Sequence, residues 1–179
     1  GFWQNPNCYI KNMDFYSDLL IDTKEIITSL DLPKKYISIH IRRGDYLSNK
    51  RLFDEYYSNF SPVKFILLSL KLLPKETEDI PIYLISDDKK WANNIMFLLS
   101  SRTRFKFYAK KTNYLIEDWA LLRHSFINIC SNSTFSYTAA LLNNENLEGK
   151  IRCIVPQWIT KNKSSYEKGW LSPQGFIEI

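Results

Sequence analysis

The sequence is poor in the residues that metal, redox and triad chemistry most often uses. Its 179 residues include only two histidines and three cysteines. Cys8, Cys130 and Cys153 are far apart and form no close pair, which favours free buried thiols in a reducing compartment and leaves a disulfide open. His40 and His124 stand in no clustered ligand motif and near no nucleophile at an informative spacing. We therefore expect neither a resident metal nor a catalytic triad.

Glycine and long apolar runs are also scarce. With five glycines in all, the chain has no glycine-rich dinucleotide fingerprint and no P-loop. Apolar runs such as residues 65–68 are too short to span a bilayer, and no charged-then-apolar leader opens the chain. The sequence therefore predicts a soluble chain without a targeting segment.

Charge and hydrophobic content favour an ordinary globular domain that binds anions. Lysine and arginine number 24 against 19 acidic residues, a formal charge of +5. This excess favours anionic ligands but is too small and too dispersed for a nucleic-acid surface, so no nucleic-acid partner is predicted. The short lysine runs are interpreted as solvated ends of secondary-structure elements. A hydrophobic share of 45% suffices for one packed core.

Apolar periodicity predicts strands that alternate with helices. The predicted strands are residues 36–41, 81–86, 105–108, 126–130 and 150–155. The predicted helices are residues 13–30, 61–73, 91–99, 114–123 and 137–142, with a polar turn at 131–136. Compact β-branched runs separated by amphipathic helices are typical of a parallel sheet with helices on both faces, so the predicted fold class is α/β and Rossmann-like.

Three polar segments directly follow predicted strands. They are residues 42–45, 86–88 and 132–136. Because the carboxyl ends of parallel strands lie at one edge of the sheet, and ligands bind outside that edge, we expect the three segments to surround one crevice.

The first segment has the chemistry of a phosphate site. Arg42 and Arg43 are permanently charged forks that bind phosphate oxygens in pairs, and Gly44 would let the backbone approach a ligand. Asp45 could orient an arginine or accept a sugar hydroxyl. The alternative is a surface ion pair between the arginines and Asp45. His40 could donate to a phosphate or fill the core.

The other two segments permit a functional and a structural interpretation. The hydroxyls of residues 131–136 precede a helix, whose amino terminus binds anions, but their residue types alone favour ordinary helix capping. Asp87 and Asp88 could accept from the N1–H and exocyclic amine of guanine. Alternatively, residues 86–88 cap the helix that carries Trp91.

Together the three motifs resemble one enzyme family. His40-Ile41-Arg42-Arg43-Gly44-Asp45-Tyr46, then Ser86-Asp87-Asp88, then Asn132-Ser133-Thr134-Phe135-Ser136, occur in the order and spacing of the α-1,2-fucosyltransferases of glycosyltransferase family eleven. Gly1-Phe2-Trp3-Gln4 and Pro156-Gln157-Trp158 also resemble family landmarks, so the similarity covers nearly the whole chain.

The resemblance implies an activity and a domain organisation. It implies inverting, metal-independent transfer of L-fucose from GDP-fucose to a galactoside hydroxyl in α-1,2 linkage, with no cofactor beyond the donor substrate. The chain would be the donor-binding half of a GT-B-type enzyme. Residues 1–32 would be a linker and helix leading to an acceptor half, and residues 33–179 the GDP-fucose-binding Rossmann-like domain. The alternative is a truncated, inactive nucleotide-sugar-binding or interaction module.

The resemblance also implies roles for particular residues. Arg42 would hold the β-phosphate, and Asp45 is the candidate catalytic base, since Lys50 stands where related α-1,6 enzymes have a carboxylate. The other residues assigned to the donor substrate are His40 and Arg43, Asp87 or Asp88 near guanine, and Ser133, Thr134 and Ser136 near the diphosphate.

Partners and location follow from the same resemblance. The acceptor would be a glycan with a terminal galactose. Peripheral membrane association would run through regions outside the chain. The expected location is cytoplasmic or membrane-peripheral for a bacterial protein and the Golgi lumen for a eukaryotic one.

Overall fold

The described part of the chain is built on a parallel six-stranded sheet. The computed structural model describes residues 23–58, 60–109, 112, 114–143, 150–156 and 173–179. The strands are β1 (Ile37–Ile41), β2 (Ile82–Ser86), β3 (Phe107–Ala109), β4 (Ile127–Cys130), β5 (Cys153–Val155) and β6 (Phe176–Glu178). They lie in the order β3-β2-β1-β4-β5-β6, and every neighbouring pair is parallel.

Helices connect the strands. They are α1 (Lys24–Ser29), α2 (Gly44–Ser48), α3 (Lys50–Leu52), α4 (Pro62–Leu72), α5 (Lys89–Arg102), α6 (Leu115–Arg123) and α7 (Thr134–Leu141). A π-helical turn covers Phe53–Tyr57 and a 3₁₀ turn covers Lys75–Thr77. No helix within the described ranges is both long and apolar enough to cross a membrane.

The central strand β1 shows why this sequence forms a buried sheet. All five of its residues are buried, since β2 and β4 flank it and helices cover both faces. Ile37, Ile39 and Ile41 point to one face and are 0% exposed. Burying each isoleucine stabilises the fold by roughly 2 kcal/mol. Ser38 and His40 point to the other face, where Ser38 donates to Asn128 Oδ1 at 2.7 Å.

The two faces of the sheet carry different helices. One face packs against α4 through Phe65, Ile66 and Leu70 and against α5 through Ala92, Ile95 and Leu99. The other face packs against α6 and α7 through Leu121, Leu122 and Ala139. The chain moves outward from β1 to β2 and β3 on one side and then continues with β4 on the other side of β1, so the strand order reverses between β1 and β4. Such a reversal creates a crevice outside the carboxyl ends of the two strands, where sheets of this kind bind ligands.

The α/β, Rossmann-like prediction is confirmed, and several element bounds need correction. Strands β3 and β5 are shorter than predicted, and α5 extends the predicted helix at both ends. The helical stretch from Gly44 to Tyr57 and the edge strand β6 were not predicted, because both lack a clear apolar period. Residues 13–22 of the first predicted helix lie outside the described residues.

The third polar segment is partly helical rather than a turn. Helix α7 begins at Thr134, and the N–H of Tyr137 donates to the carbonyl of Ser133 at 3.0 Å. The prediction placed the helix start three residues later because hydroxyl residues favour turns. Here they occupy the first helical turn instead, where such side chains are well tolerated.

Two of the three cysteines lie in the core between β4, β5 and α7. Cys130 and Cys153 are 0% exposed, and their Sγ atoms are 3.7 Å apart without a disulfide. Burial raises the pKa of Cys153. The expectation of free buried thiols is confirmed for this pair, while Cys8 lies outside the described residues.

Candidate functional site

A cavity of about 310 Å³ opens at the carboxyl edge of the sheet, in the crevice that the strand reversal creates. Its lining residues are His40, Arg42, Asp45, Tyr46, Ile85, Ser86, Asp87, Leu115, Asp118, Ser133, Thr134 and Phe135. The three polar segments therefore do converge. Of the predicted site residues, Arg43, Asp88 and Ser136 are not among those that line the cavity.

Arg42 contributes the main positive charge to the cavity. Its Nε donates to Asp45 Oδ1 at 2.8 Å, and its Nη1 lies 3.2 Å from Asp87 Oδ2. The hydrogen bond to Asp45 raises the pKa of the guanidinium above its ordinary value. Nη2 makes no hydrogen bond with a described residue. The arginine is thus oriented by two carboxylates and keeps one edge available for an anion.

Asp87 shapes the loop that carries the arginines. Its Oδ1 accepts from the backbone N–H of Arg43 at 2.8 Å, and its Oδ2 accepts from that of Gly44 at 2.9 Å. A Cβ at residue 44 would lie 2.6 Å from the same Oδ2. Gly44 is therefore required for the approach of Asp87, and the ligand approach expected from the sequence is not needed to explain it.

Arg43 points away from the cavity into a pocket of its own. Its Nε lies 3.2 Å from Asp88 Oδ2, and its Nη1 donates to the Tyr57 hydroxyl at 2.8 Å. The guanidinium carbon lies 4.5 Å from the centre of the Trp91 ring, a cation–π arrangement. The side chain is 17% exposed. Arg43 joins the first and second segments, and it can act on a ligand only through the loop it anchors.

Replacing Arg43 with alanine is expected to lower the free energy of unfolding by roughly 2 kcal/mol, because a mostly buried ion pair, a hydrogen bond and a cation–π contact are lost together. Urea denaturation measures this change. Arg104→Ala is the control, since Arg104 pairs with Glu78 at 2.6 Å but is 61% exposed. An equal loss in the two variants would contradict the anchoring role of Arg43.

His40 lies at the floor of the cavity and is 4% exposed. Its ring packs against Phe135 at a centroid distance of 5.5 Å, and its buried Nδ1 has no hydrogen-bond partner among the described residues. The pKa of His40 is lowered to about 4, mainly by burial. The charge of Asp87 raises this pKa by a smaller amount, and the charge of Arg42 lowers it further. A neutral imidazole at neutral pH therefore faces the cavity.

His40 should make stability depend on pH. The unfolded chain takes up a proton at His40 near its ordinary pKa of 6.5, whereas the folded chain does so only near 4. Stability should therefore fall on acidification between these values, by up to roughly 3 kcal/mol. Urea denaturation of the wild type and His40→Gln across this range measures the contribution. Parallel pH profiles in the two proteins would contradict it.

The amino terminus of α7 supplies a second feature suited to anions. Ser133 and Thr134 line the cavity, and the side chain of Ser133 makes no capping hydrogen bond. The first N–H groups of a helix lack intrahelical partners, and the helix dipole places partial positive charge there. Ser136 faces inward instead, where its buried hydroxyl donates to the carbonyl of Ser133 at 3.3 Å.

The alternative interpretations of the sequence account for part of what is seen. Arg42 and Asp45 do form an ion pair. Asp88 caps α5, because its Oδ1 accepts from the N–H of Trp91 at 2.9 Å. That hydrogen bond lowers the pKa of the Asp88 carboxyl. Asp88 is thus engaged by a helix and by Arg43 rather than turned toward the cavity.

Several cavity residues were not identified from the sequence. Asp118 lies in the first turn of α6 and accepts a hydrogen bond from the Thr112 hydroxyl. Tyr46 lines another wall, where its hydroxyl donates to the carbonyl of Asn132 at 3.0 Å. A usable signal for Asp118 was available, since a helix that follows a parallel strand begins at the carboxyl edge of the sheet. From the sequence, α6 was predicted only as an amphipathic helix.

The fold and the cavity together define a Rossmann-like domain with a polar crevice at the strand reversal, lined by one arginine and three aspartates. The model of the family described as "Glycosyl transferase family 11" matches residues 1–173. The chain belongs to glycosyl transferase family 11.

Two curated relatives come from Escherichia coli. The alpha-1,2-colitosyltransferase is 24% identical over 153 residues, which cover 82% of this chain and 51% of that protein. The O-antigen biosynthesis glycosyltransferase WbnK is 27% identical over 151 residues, which cover 80% of this chain and 48% of that protein. The chain thus spans about half the length of the curated relatives it matches. A crystal structure of POFUT1 in complex with GDP shares 10% identity at a TM-score of 0.48, covering 88% of this chain and 45% of that chain.

Proposed function

We propose that the chain is the donor-binding part of a GT-B-type enzyme that transfers L-fucose from GDP-fucose to a galactoside hydroxyl, in α-1,2 linkage, with inversion and without a metal. The observation that carries the proposal is the placement of Arg42 and the amino terminus of α7 on one cavity at the strand reversal. Membership of glycosyl transferase family 11 supports it. One relative is named an alpha-1,2-colitosyltransferase, which supports the linkage and makes colitose the competing sugar.

The diphosphate of the donor is assigned to the part of this cavity that Arg42 and the amino terminus of α7 line. The diphosphate oxygens can accept hydrogen bonds from Nη2 of Arg42, from the hydroxyls of Ser133 and Thr134 and from the first N–H groups of α7. In an inverting transfer the acceptor oxygen forms a bond to C1 of the sugar. The bond from C1 to the β-phosphate oxygen breaks, and GDP leaves with the electron pair. Fixed positive charge at this place stabilises the charge that develops on the leaving group.

Asp45 is assigned to orienting the arginine. Its Oδ1 accepts from Arg42 Nε at 2.8 Å, and its side chain is 48% exposed. A base that takes the acceptor proton must lie within hydrogen-bond reach of the acceptor hydroxyl. The role of Asp45 as that base stays a prediction from the resemblance.

Asp118 is the residue we assign to guanine. Asp88 caps a helix and does not line the cavity, whereas Asp87 and Asp118 both line it. Asp87 holds the loop through two backbone N–H groups, and Asp118 faces the cavity from α6, where it also accepts from the Thr112 hydroxyl. A carboxylate there can accept from both N1–H and the exocyclic amine of guanine. We therefore expect Asp118→Asn to weaken GDP binding about tenfold or more.

Inosine diphosphate separates base recognition from general damage, because hypoxanthine lacks the exocyclic amine. The wild type should bind GDP more tightly than IDP, and Asp118→Asn should bring the two affinities together. Isothermal titration calorimetry measures both. An unchanged preference for GDP in Asp118→Asn would remove Asp118 from the site.

Transfer itself is tested on the full-length protein that contains this chain. GDP-fucose and GDP-colitose are supplied in parallel with a galactoside acceptor, and the product linkage is determined by NMR. An α-1,2-fucosylated product supports the proposal. Preferred transfer of colitose would replace the sugar, and donor binding without any transfer would favour an inactive nucleotide-sugar-binding module.

A further inference from the structure

Helices α4 and α5 give one face of the molecule an unusual charge pattern. Neither helix contains an acidic residue. Together they carry five basic residues: Lys64, Lys71, Lys89, Lys90 and Arg102. Both helices pack on the same face of the sheet. We call the solvent-exposed side of these two helices the basic face. The five basic side chains of the two helices carry a charge of +5, which equals the formal net charge of the whole chain.

A groove of about 600 Å³ runs between the carboxyl-terminal ends of the two helices. The apolar side chains that line it are Leu67, Leu70 and Phe105, and the basic ones are Lys71, Arg102 and Arg104. Helix α4 ends before β2 begins and α5 ends before β3 begins, so the groove lies at the amino edge of the parallel sheet. The proposed donor cavity lies at the opposite edge.

Large apolar side chains stand out from the same face. Phe97 of α5 is 81% exposed, and Leu68 and Leu72 of α4 are each 41% exposed. In α4, Leu68 and Leu72 directly follow the groove residues Leu67 and Lys71. In α5, Phe97 lies one helical turn before the groove residue Ser101. Exposed aromatic and leucine side chains among lysines are typical of helices that lie on membranes.

The acidic residues near the groove lie in the turn that follows α4. Glu76, Glu78 and Asp79 belong to this turn, and Glu78 forms an ion pair with Arg104 at 2.6 Å. They neutralise the Arg104 end of the groove. Lys64, Lys71 and Arg102 make no ion pair with a described residue. The positive charge of the basic face is therefore concentrated on the helices rather than on the turn.

We propose that the basic face docks the protein on a membrane surface that contains anionic phospholipids. The lysines and Arg102 would contact lipid phosphates, and Phe97, Leu68 and Leu72 would enter the boundary between headgroups and acyl chains. The charge selects an anionic surface, and the protruding apolar side chains select a bilayer over a nucleic acid, whose phosphates they cannot contact favourably. Because the basic face covers one face of the sheet and its groove lies at the edge opposite the donor cavity, membrane-bound protein should still bind GDP if the proposed function is correct.

Vesicle sedimentation tests the docking surface. The protein is mixed with vesicles of phosphatidylcholine alone or of equal parts phosphatidylcholine and phosphatidylglycerol. It should sediment with the anionic vesicles only and be released by high salt. Lys64→Glu/Lys71→Glu should lower the partition coefficient about tenfold or more, since each lysine near such a surface contributes substantially to binding. Phe97→Ser leaves the charge unchanged and should still lower the coefficient severalfold.

The matched control is Lys24→Glu/Lys150→Glu, which changes the net charge equally but alters exposed lysines outside α4 and α5. It should keep most of the binding. Circular dichroism of each variant shows whether it is folded. The proposal is overturned if anionic vesicles do not bind the wild type, if both double variants lose binding equally, or if Phe97→Ser binds as the wild type does. If Phe97→Ser binds as the wild type does, the basic face binds polyanions in general and does not recognise a bilayer. The assay needs no donor substrate, so its failure leaves the proposed glycosyl transfer untouched.

Discussion

Arg42→Ala is expected to weaken GDP binding by at least about thirty-fold, because the charged hydrogen bonds to the diphosphate are lost and nothing replaces them. The fold should survive this change. Arg42 makes its contacts at a half-exposed edge of the sheet, with a side chain 35% exposed, so the free energy of unfolding should change by about 1 kcal/mol or less. Isothermal titration gives the affinity, and urea denaturation gives the stability.

Arg42→Lys separates charge from geometry. Lysine keeps the positive charge but cannot hold Asp45 and Asp87 while presenting a third nitrogen to an anion, so it should restore binding only in part. Arg104→Ala, remote from the cavity, should bind GDP as the wild type does. Equal GDP affinity in Arg42→Ala and the wild type would contradict the assignment of Arg42.

Asp87→Ala is expected to damage both stability and binding. Asp87 accepts from the backbone N–H groups of Arg43 and Gly44 and contacts Arg42, so its loss releases the loop on which the arginine is carried. We expect a loss of roughly 2 kcal/mol in the free energy of unfolding and about a tenfold or greater loss of GDP affinity. The two effects should appear together because one carboxylate produces both.

The conservative variant tests whether Asp87 acts as a hydrogen-bond acceptor. Asp87→Asn keeps one acceptor oxygen but turns an amide toward the second N–H donor, so it should recover part of the stability and less of the affinity. Asp79→Ala changes an exposed carboxylate outside the cavity and should have neither effect. If Asp87→Ala loses affinity for GDP without any loss of stability, Asp87 contacts the ligand directly and its role in the loop is wrong.

The sheet could be predicted from the sequence because its strands are short, compact and rich in β-branched residues. Residues 36–41 and 81–86 differ from the observed β1 and β2 by one residue each. Strand β6 could not be found in this way. Its pairing with β5 is a long-range contact on the sheet edge, and its three residues, Phe176–Glu178, carry no period that a local pattern could reveal.

The convergence of the three polar segments could also be predicted, since topology alone brings strand exits together. The direction of each side chain could not. Arg42 and Arg43 are neighbours of identical chemistry, yet Arg42 lines the cavity while Arg43 is drawn to Asp88, Tyr57 and Trp91. Those partners come from other parts of the chain. Only the folded structure shows which arginine is available.

The roles of three aspartates also could not be predicted from the sequence. Asp87 and Asp88 follow β2, and Asp118 lies in the first turn of α6. Asp87 and Asp118 both line the cavity, but Asp87 also holds a loop, and Asp88 caps a helix. From the sequence, the adjacent pair at a strand exit was the natural choice for guanine. The structure engages both members with backbone N–H groups, and our proposal assigns guanine instead to Asp118, thirty residues further along the chain.

The central claim is that the cavity at the strand reversal binds a guanosine diphosphate through Arg42. Isothermal titration of GDP and GMP into the wild type and Arg42→Ala tests it most directly, because GMP lacks the β-phosphate assigned to this arginine. The wild type should bind GDP much more tightly than GMP, and Arg42→Ala should bind the two with similar, weak affinity. A folded wild-type protein that does not distinguish GDP from GMP, or an Arg42→Ala variant that keeps the full preference, would contradict the claim.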